Sequence, residues 1–116
     1  FGAQGAPQGD MFMRALAMDV PITRLFWGML HSAELKARFV NICTALVQGP
    51  FSAANAAARL ERIVSLMAPE MERHTARWRK PQDVAAWQAH IAVLRKFAAE
   101  RPAAVIAQLK TFQDKP

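Results

Sequence analysis

Five prolines, at positions 21, 50, 69, 81 and 102, cut a chain of 116 residues into pieces of helix length. Proline locks φ and lacks a backbone N–H. Inside a helix it costs about 3 kcal/mol, whereas in the first turn it costs almost nothing. Proline positions therefore predict where helices begin. The pieces between them are rich in alanine and poor in β-branched residues, and tyrosine is absent. That mix favours helix over strand. No segment alternates apolar and polar residues as a half-buried strand would.

Read from the N-terminus, residues 1–9 are Gly, Gln, Ala and Pro behind Phe1, and read as a loop or linker. Residues 10–116 read as one helical region. A short helix is expected from Met11 to Met18. Asp19 then caps a helix that carries Pro21 in its first turn and runs to about Leu30. Ser32 caps the next, Ala33 to Val47, with Leu35, Phe39, Ile42 and Leu46 as its apolar stripe. Gly49 and Pro50 stop it, and Ser52 opens a helix with Ala56, Leu60, Ile63 and Met67 on one face. Pro69 is expected to start a new helix, although a kinked continuous one fits as well. Glu70 and Glu72 suit its positive end, and Arg77, Arg79 and Lys80 its negative end. Asp83 caps a helix from Val84 to about Ala99, with Trp87, Ile91, Leu94 and Ala98 inward. Pro102 starts the last helix, with Val105, Leu109 and Phe112 inward, and Asp114 to Pro116 should fray. The expected fold is all-α, an irregular orthogonal bundle of about six helices. At 53% hydrophobic residues, the chain has enough apolar side chains for a core.

The charge pattern narrows the partners without naming one. Fifteen Lys and Arg against nine Asp and Glu give a net charge of +6. An acidic partner is one reading and a solvated surface the other, and the dispersion of the bases favours the second. The densest cluster is Arg73, Arg77, Arg79 and Lys80, with Trp78 among them. It is the candidate surface for an acidic or anionic partner. Arg73, Arg77 and Lys80 would share a helix face, and Trp78 could stack on a base or a partner. Bases at a helix C-terminus are expected anyway, so nucleic acid is disfavoured.

Nothing reads as a catalytic, cofactor or metal site. His31, His74 and His90 fall on separate predicted helices. Glu70 and His74 share a face, but two ligands do not make a zinc site. Ser32 and Ser52 read as caps, and no nucleophile elbow or glycine-rich phosphate loop is present. Cys43 is the single cysteine, reads as a buried structural thiol, and excludes an intrachain disulfide. No apolar run is long enough to span a membrane. Phe26-Trp27 beside Met29-Leu30 is apolar nearly all round, which suggests burial on several sides by something outside this chain. The six methionines fit gap-filling in a core or interface. Phe rather than Met at position 1 suggests a piece of a longer protein.

Four blocks, in order, resemble the C-terminal third of the CotH-type proteins, the spore coat protein H family of atypical protein kinases. They are Leu25-Phe26-Trp27 through Ser32-Ala33-Glu34-Leu35 to Arg38-Phe39, then Leu46 to Phe51-Ser52, then Ile63 to Trp78 with its Ala68-Pro69-Glu70-Met71 centre, and finally Trp87 through Leu94-Arg95-Lys96-Phe97 to Glu100-Arg101-Pro102. Departures fall in turns: Ser32-Ala33 replaces an Asn-Pro turn, Gln48-Gly49-Pro50 an Asn-Thr-Thr turn, and Glu72 stands where the family often has Pro. The resemblance implies ATP-dependent phosphoryl transfer to protein Ser or Thr in the full-length protein, with Mg2+ held by upstream aspartates. Phe1-Gly2 could be the tail of that metal-binding segment. No catalytic residue transfers to this chain, which would be the helical scaffold of the kinase C-terminal lobe. Its partners would be the N-terminal kinase-like part of the same protein and an acidic or phosphorylated protein substrate. The rival readings are a stand-alone basic binding module and a structural coat or assembly protein without activity. The sequence does not fix the compartment; the family points to the cell surface, the spore coat or the extracellular space.

Overall fold

A computed structural model of the chain describes residues 6–114. Five helices follow in order: α1 (Met11–Leu16), α2 (Pro21–Leu30), α3 (Ala33–Gln48), α4 (Ala53–Trp78) and α5 (Val84–Gln113). There is no strand among the described residues. The fold is an all-helical bundle, as the composition implied.

Side-chain caps set most of the starts. Asp10 accepts from the N–H groups of Phe12 and Met13 at 3.0 and 2.9 Å. Ser32 and Ser52 each accept from the third residue of their helix at 3.4 Å, and Asp83 accepts from Ala86 at 2.7 Å. The cap of α2 is Val20 rather than Asp19. There the Thr23 hydroxyl accepts from the Val20 N–H at 3.2 Å, which frees Asp19 to bind Arg24 through both carboxylate oxygens at 2.7 and 3.0 Å. Gly49 ends α3 where a Cβ would come within 2.9 Å of the Ala45 carbonyl, so a larger residue would have to shift the turn.

Pro69 and Pro102 do not start helices. Each lies inside a continuous one, so α4 has 26 residues and α5 has 30. The packing on either side explains this. Val64 and Met71 flank Pro69 two turns apart, and both are buried in one cluster with Trp87 and Ile91 of α5. Holding both anchors against one partner keeps α4 continuous despite the missing hydrogen bond. In α5, Ile91 and Val105 flank Pro102 and belong to different cores.

Those two cores define the architecture. At one end, α1, α2, α3 and the C-terminal half of α5 enclose Phe12, Leu30, Val40, Val105, Leu109 and Phe112. At the other, α4 lies against the N-terminal half of α5 around Val64, Met71, Trp87 and Ile91. Helices α3 and α4 both pack on α5 but not on each other among the described residues. The molecule is therefore long, 55 × 29 × 18 Å, with a radius of gyration of 18.3 Å. A compact chain of this length would have a radius of roughly 13 Å.

The buried faces of α3 and α4 differ from the expected stripes by about one residue. In α3 the inward set is Val40 with Phe39, Cys43 and Val47, while Leu35, Ile42 and Leu46 are exposed. In α4 it is Leu60, Val64 and Met71, while Ile63 and Met67 face out. Both helices carry apolar residues on two faces, so periodicity alone admits two solutions.

Candidate functional site

The basic cluster sits where α4 ends and the chain turns into α5. The last helical residue is Trp78, and Arg79 follows in the left-handed region at φ 51°, ψ 32°. Its N–H closes the helix onto the Thr75 carbonyl at 2.9 Å. A left-handed backbone costs a residue with a Cβ about 1–2 kcal/mol, which glycine would avoid. The Lys80–Pro81 peptide that follows is cis. The His74 ring donates from Nε2 to the Lys80 carbonyl at 3.1 Å, which ties the turn back to the last turn of α4.

The four predicted site residues are all exposed, but their roles differ. Arg73 forms an ion pair with Glu70 one turn earlier, so part of its charge is met within the helix. Arg77 places its guanidinium 4.9 Å from the centre of the Trp78 ring, a cation–π arrangement. Trp78 is 59% exposed, so it belongs to the surface and not to the core. Lys80 lies beyond the helix end and so outside the helical register shared by Arg73 and Arg77. Arg79 borders a groove of about 620 Å3 between the two helices, with Thr75, Glu72, Gln82 and Asp83 along it. Asp83 is committed to capping α5 and Thr75 donates to the Glu72 carbonyl at 3.1 Å. Cations beside an exposed indole suit a partner bearing carboxylates or phosphates.

The other candidates are distributed and individually satisfied. His31 donates from Nδ1 to the Trp27 carbonyl at 2.8 Å. His90 is exposed on α5. Among the described residues, no three His, Cys, Asp or Glu side chains converge as metal ligands would. Cys43 is half-buried against the aromatic core, and that burial pushes its thiol pKa up, away from a reactive thiolate. Among the described residues, no helix is long and apolar enough to cross a membrane. Phe1-Gly2 lies outside the described residues.

The CotH family model, described as CotH kinase protein, matches residues 11–105. The chain belongs to the CotH family. The match runs from α1 to Val105 in α5, taking in the whole α4–α5 core and the other core except Leu109 and Phe112. No curated protein and no solved structure matches the chain. Two polar features of this CotH chain escape sequence reasoning. Glu61 of α4 and Arg95 of α5 pair through both carboxylate oxygens at 2.7 and 2.9 Å. Arg101 and Gln108 of α5 bind the backbone just ahead of α1. Their seven-residue spacing becomes meaningful only once α5 runs unbroken through Pro102.

Proposed function

We propose that this chain is the C-terminal helical scaffold of a CotH-type protein kinase, inactive alone and supporting a nucleotide- and metal-binding part carried upstream. One observation carries the reading: within the family match, an elongated frame leaves large apolar side chains uncovered along most of its length. Ile22 and Leu25 of α2 are 69% and 62% exposed, and Leu66 of α4 is 71% exposed. Large apolar side chains this exposed fit surfaces that another part of the protein covers. In this reading Mg2+ and ATP are held upstream of the described residues, several of whose carboxylates have other partners. Besides the absence of a converging ligand set among them, Asp10 and Asp83 are helix caps, and Asp19, Glu61 and Glu70 are paired with arginines. Phosphoryl transfer depends on positioning and charge neutralisation; in this reading the upstream part supplies both, and the chain supplies rigid support. The face at Arg77, Trp78, Arg79 and Lys80 would meet an acidic or phosphorylated protein substrate.

The test compares the full-length protein with the 116-residue chain. Full-length protein should transfer the γ-phosphate of ATP to protein Ser or Thr, and the chain alone should neither transfer it nor bind Mg-ATP. Micromolar nucleotide binding by the chain alone would sink the scaffold reading. A folded full-length protein without transfer would favour a structural coat or assembly role.

The exposed Trp78 with Arg77 stacked on it favours a second reading, a basic module that binds an acidic partner unaided. Titrating poly-glutamate against salt separates the two. Submicromolar binding with a steep salt slope supports the module; weak binding supports the scaffold.

A further inference from the structure

The leading segment is held mainly through its backbone. Arg101 Nη1 donates to the carbonyls of Pro7 at 2.7 Å and Gly9 at 2.6 Å. Gln108 Nε2 donates to those of Gln8 and Gly9, each at 3.1 Å. Three consecutive carbonyls are thus taken up by two side chains two turns apart on α5. Gln8 Nε2 completes the set by donating to Glu100 at 3.1 Å. Gly9 closes a turn onto the Ala6 carbonyl at 3.0 Å, and Asp10 then caps α1. With six residues, α1 is too short to be stable by itself. Yet it delivers Phe12, only 6% exposed, between Phe39 and Phe112 at centroid distances of 5.9 and 5.7 Å. A space of only about 10 Å3 remains beside it.

We propose that residues 7–16 form a plug that docks as one unit on the core formed by α2, α3 and the C-terminal half of α5, with Arg101 as the positioning residue that locks it. The charged clamp holds residues 7–9, and the Phe12 ring anchors the first turn of α1. The rest of the helix, too short to hold its own shape, hangs on these two anchors, so releasing either one releases the plug. This gives the Glu100-Arg101-Pro102 block a physical role: its arginine reads main-chain carbonyls of the leading segment and fixes the line along which the preceding polypeptide reaches α5. The inference stands on these contacts and does not depend on the kinase reading.

Amide hydrogen exchange in the full-length protein tests it. Arg101→Met keeps the stem and removes the donors; Arg101→Lys restores part of them; Gln108→Leu removes the second clamp; Phe12→Ala removes the ring. In Arg101→Met the amides of Met13, Arg14 and Ala17 should exchange about tenfold faster or more, from the loss of charge-assisted bonds. Arg101→Lys should fall in between, and Gln108→Leu should give a smaller rise at the same amides. Phe12→Ala should accelerate that same set, while the amides of α4 keep their wild-type rates. The proposal is overturned if Arg101→Met leaves those amides within twofold of wild type. It is equally overturned if the acceleration spreads evenly through α3, α4 and α5, since the segment would then be no separate unit.

Discussion

The aromatic head and the α4–α5 hairpin are built on one rod, α5, yet they reach order by different means. In the head, four elements close around Leu109, which is 2% exposed. Phe12, Phe26, Phe39 and Phe112 interlock there, with ring centroids 5.1 to 5.9 Å apart. Such offset and edge-on pairs add to what their burial alone contributes. The hairpin has two layers and no third. Trp87, Ile91, Val64 and Met71 are buried between its helices, and the backs of those helices leave Ile63, Leu66, Met67 and Val93 open. A helix pair can bury only one face of each member, whereas four elements around a point can cover their shared centre completely. The head thus has a fully covered centre, but its outer face at Ile22 and Leu25 is as open as the back of the hairpin at Leu66, so both regions leave apolar surface for another part to cover.

Core truncations should separate the two regions most sharply. Leu109→Ala removes the best-buried side chain of the head and should cost about 3–5 kcal/mol. Hydrogen exchange should then show α1, α2 and α3 opening together. Trp87→Ala should cost about 3 kcal/mol and loosen α4 and the first half of α5, with the head retained. If both variants melt the entire chain in one transition, α5 couples the regions too tightly for the comparison to stand.

Pro69→Ala should act in the opposite direction. It restores an N–H and relieves a clash inside α4 while giving back some unfolded-state freedom, so the hairpin should gain about 1–2 kcal/mol. Urea titration followed at the hairpin measures it. A loss of stability would mean that α4 behaves as two helices meeting at Pro69.

The smallest effect distinguishes the ion pairs. The Arg95 guanidinium, hydrogen-bonded to Glu61, holds that carboxyl below the usual glutamate range, and Arg24 does the same to Asp19. A carboxyl whose pKa is lowered on folding adds stability above its unfolded value and loses it as pH falls through its folded value. Glu61→Gln should therefore weaken the hairpin slightly at neutral pH, and the gap from wild type should close as the pH drops below the glutamate range. Asp19→Asn should show the same trend within the head only, because Asp19 and Arg24 lie five residues apart and join no distant elements. High salt should shrink both gaps, since the pairs are exposed.

Helix starts were legible at most of the side-chain caps and not at Pro69 or Pro102, which start no helix. Ser32, Ser52 and Asp83 cap where the sequence places them, because a cap is a contact over three residues and needs no tertiary partner. Asp19 misled because its arginine competes for it and Thr23 supplies the missing acceptor. The inward stripes of α3 and α4 were legible only as a pair of alternatives. The final positions of α5, Val105, Leu109 and Phe112, came out as expected because that segment has a single apolar face. At the candidate site, the cluster of bases was visible, but not that Trp78 stays outside or that Lys80 leaves the helix. Both depend on where α4 terminates, and that is set by the left-handed backbone of Arg79.

The amino-acid order alone settled what is local: all-helical composition, most of the caps, the glycine stop after α3, and four blocks that mark the CotH family. Tertiary structure alone settled whether Pro69 and Pro102 break helices, which of two apolar faces turns inward, and what Arg101 holds. A local preference of a few kcal/mol can be outweighed once side chains on both sides of it bury against a common partner. For Pro69 that partner is α5, while α5 itself is held on the two sides of Pro102 by two different cores; these contacts lie too far along the chain for any short window of sequence to contain them.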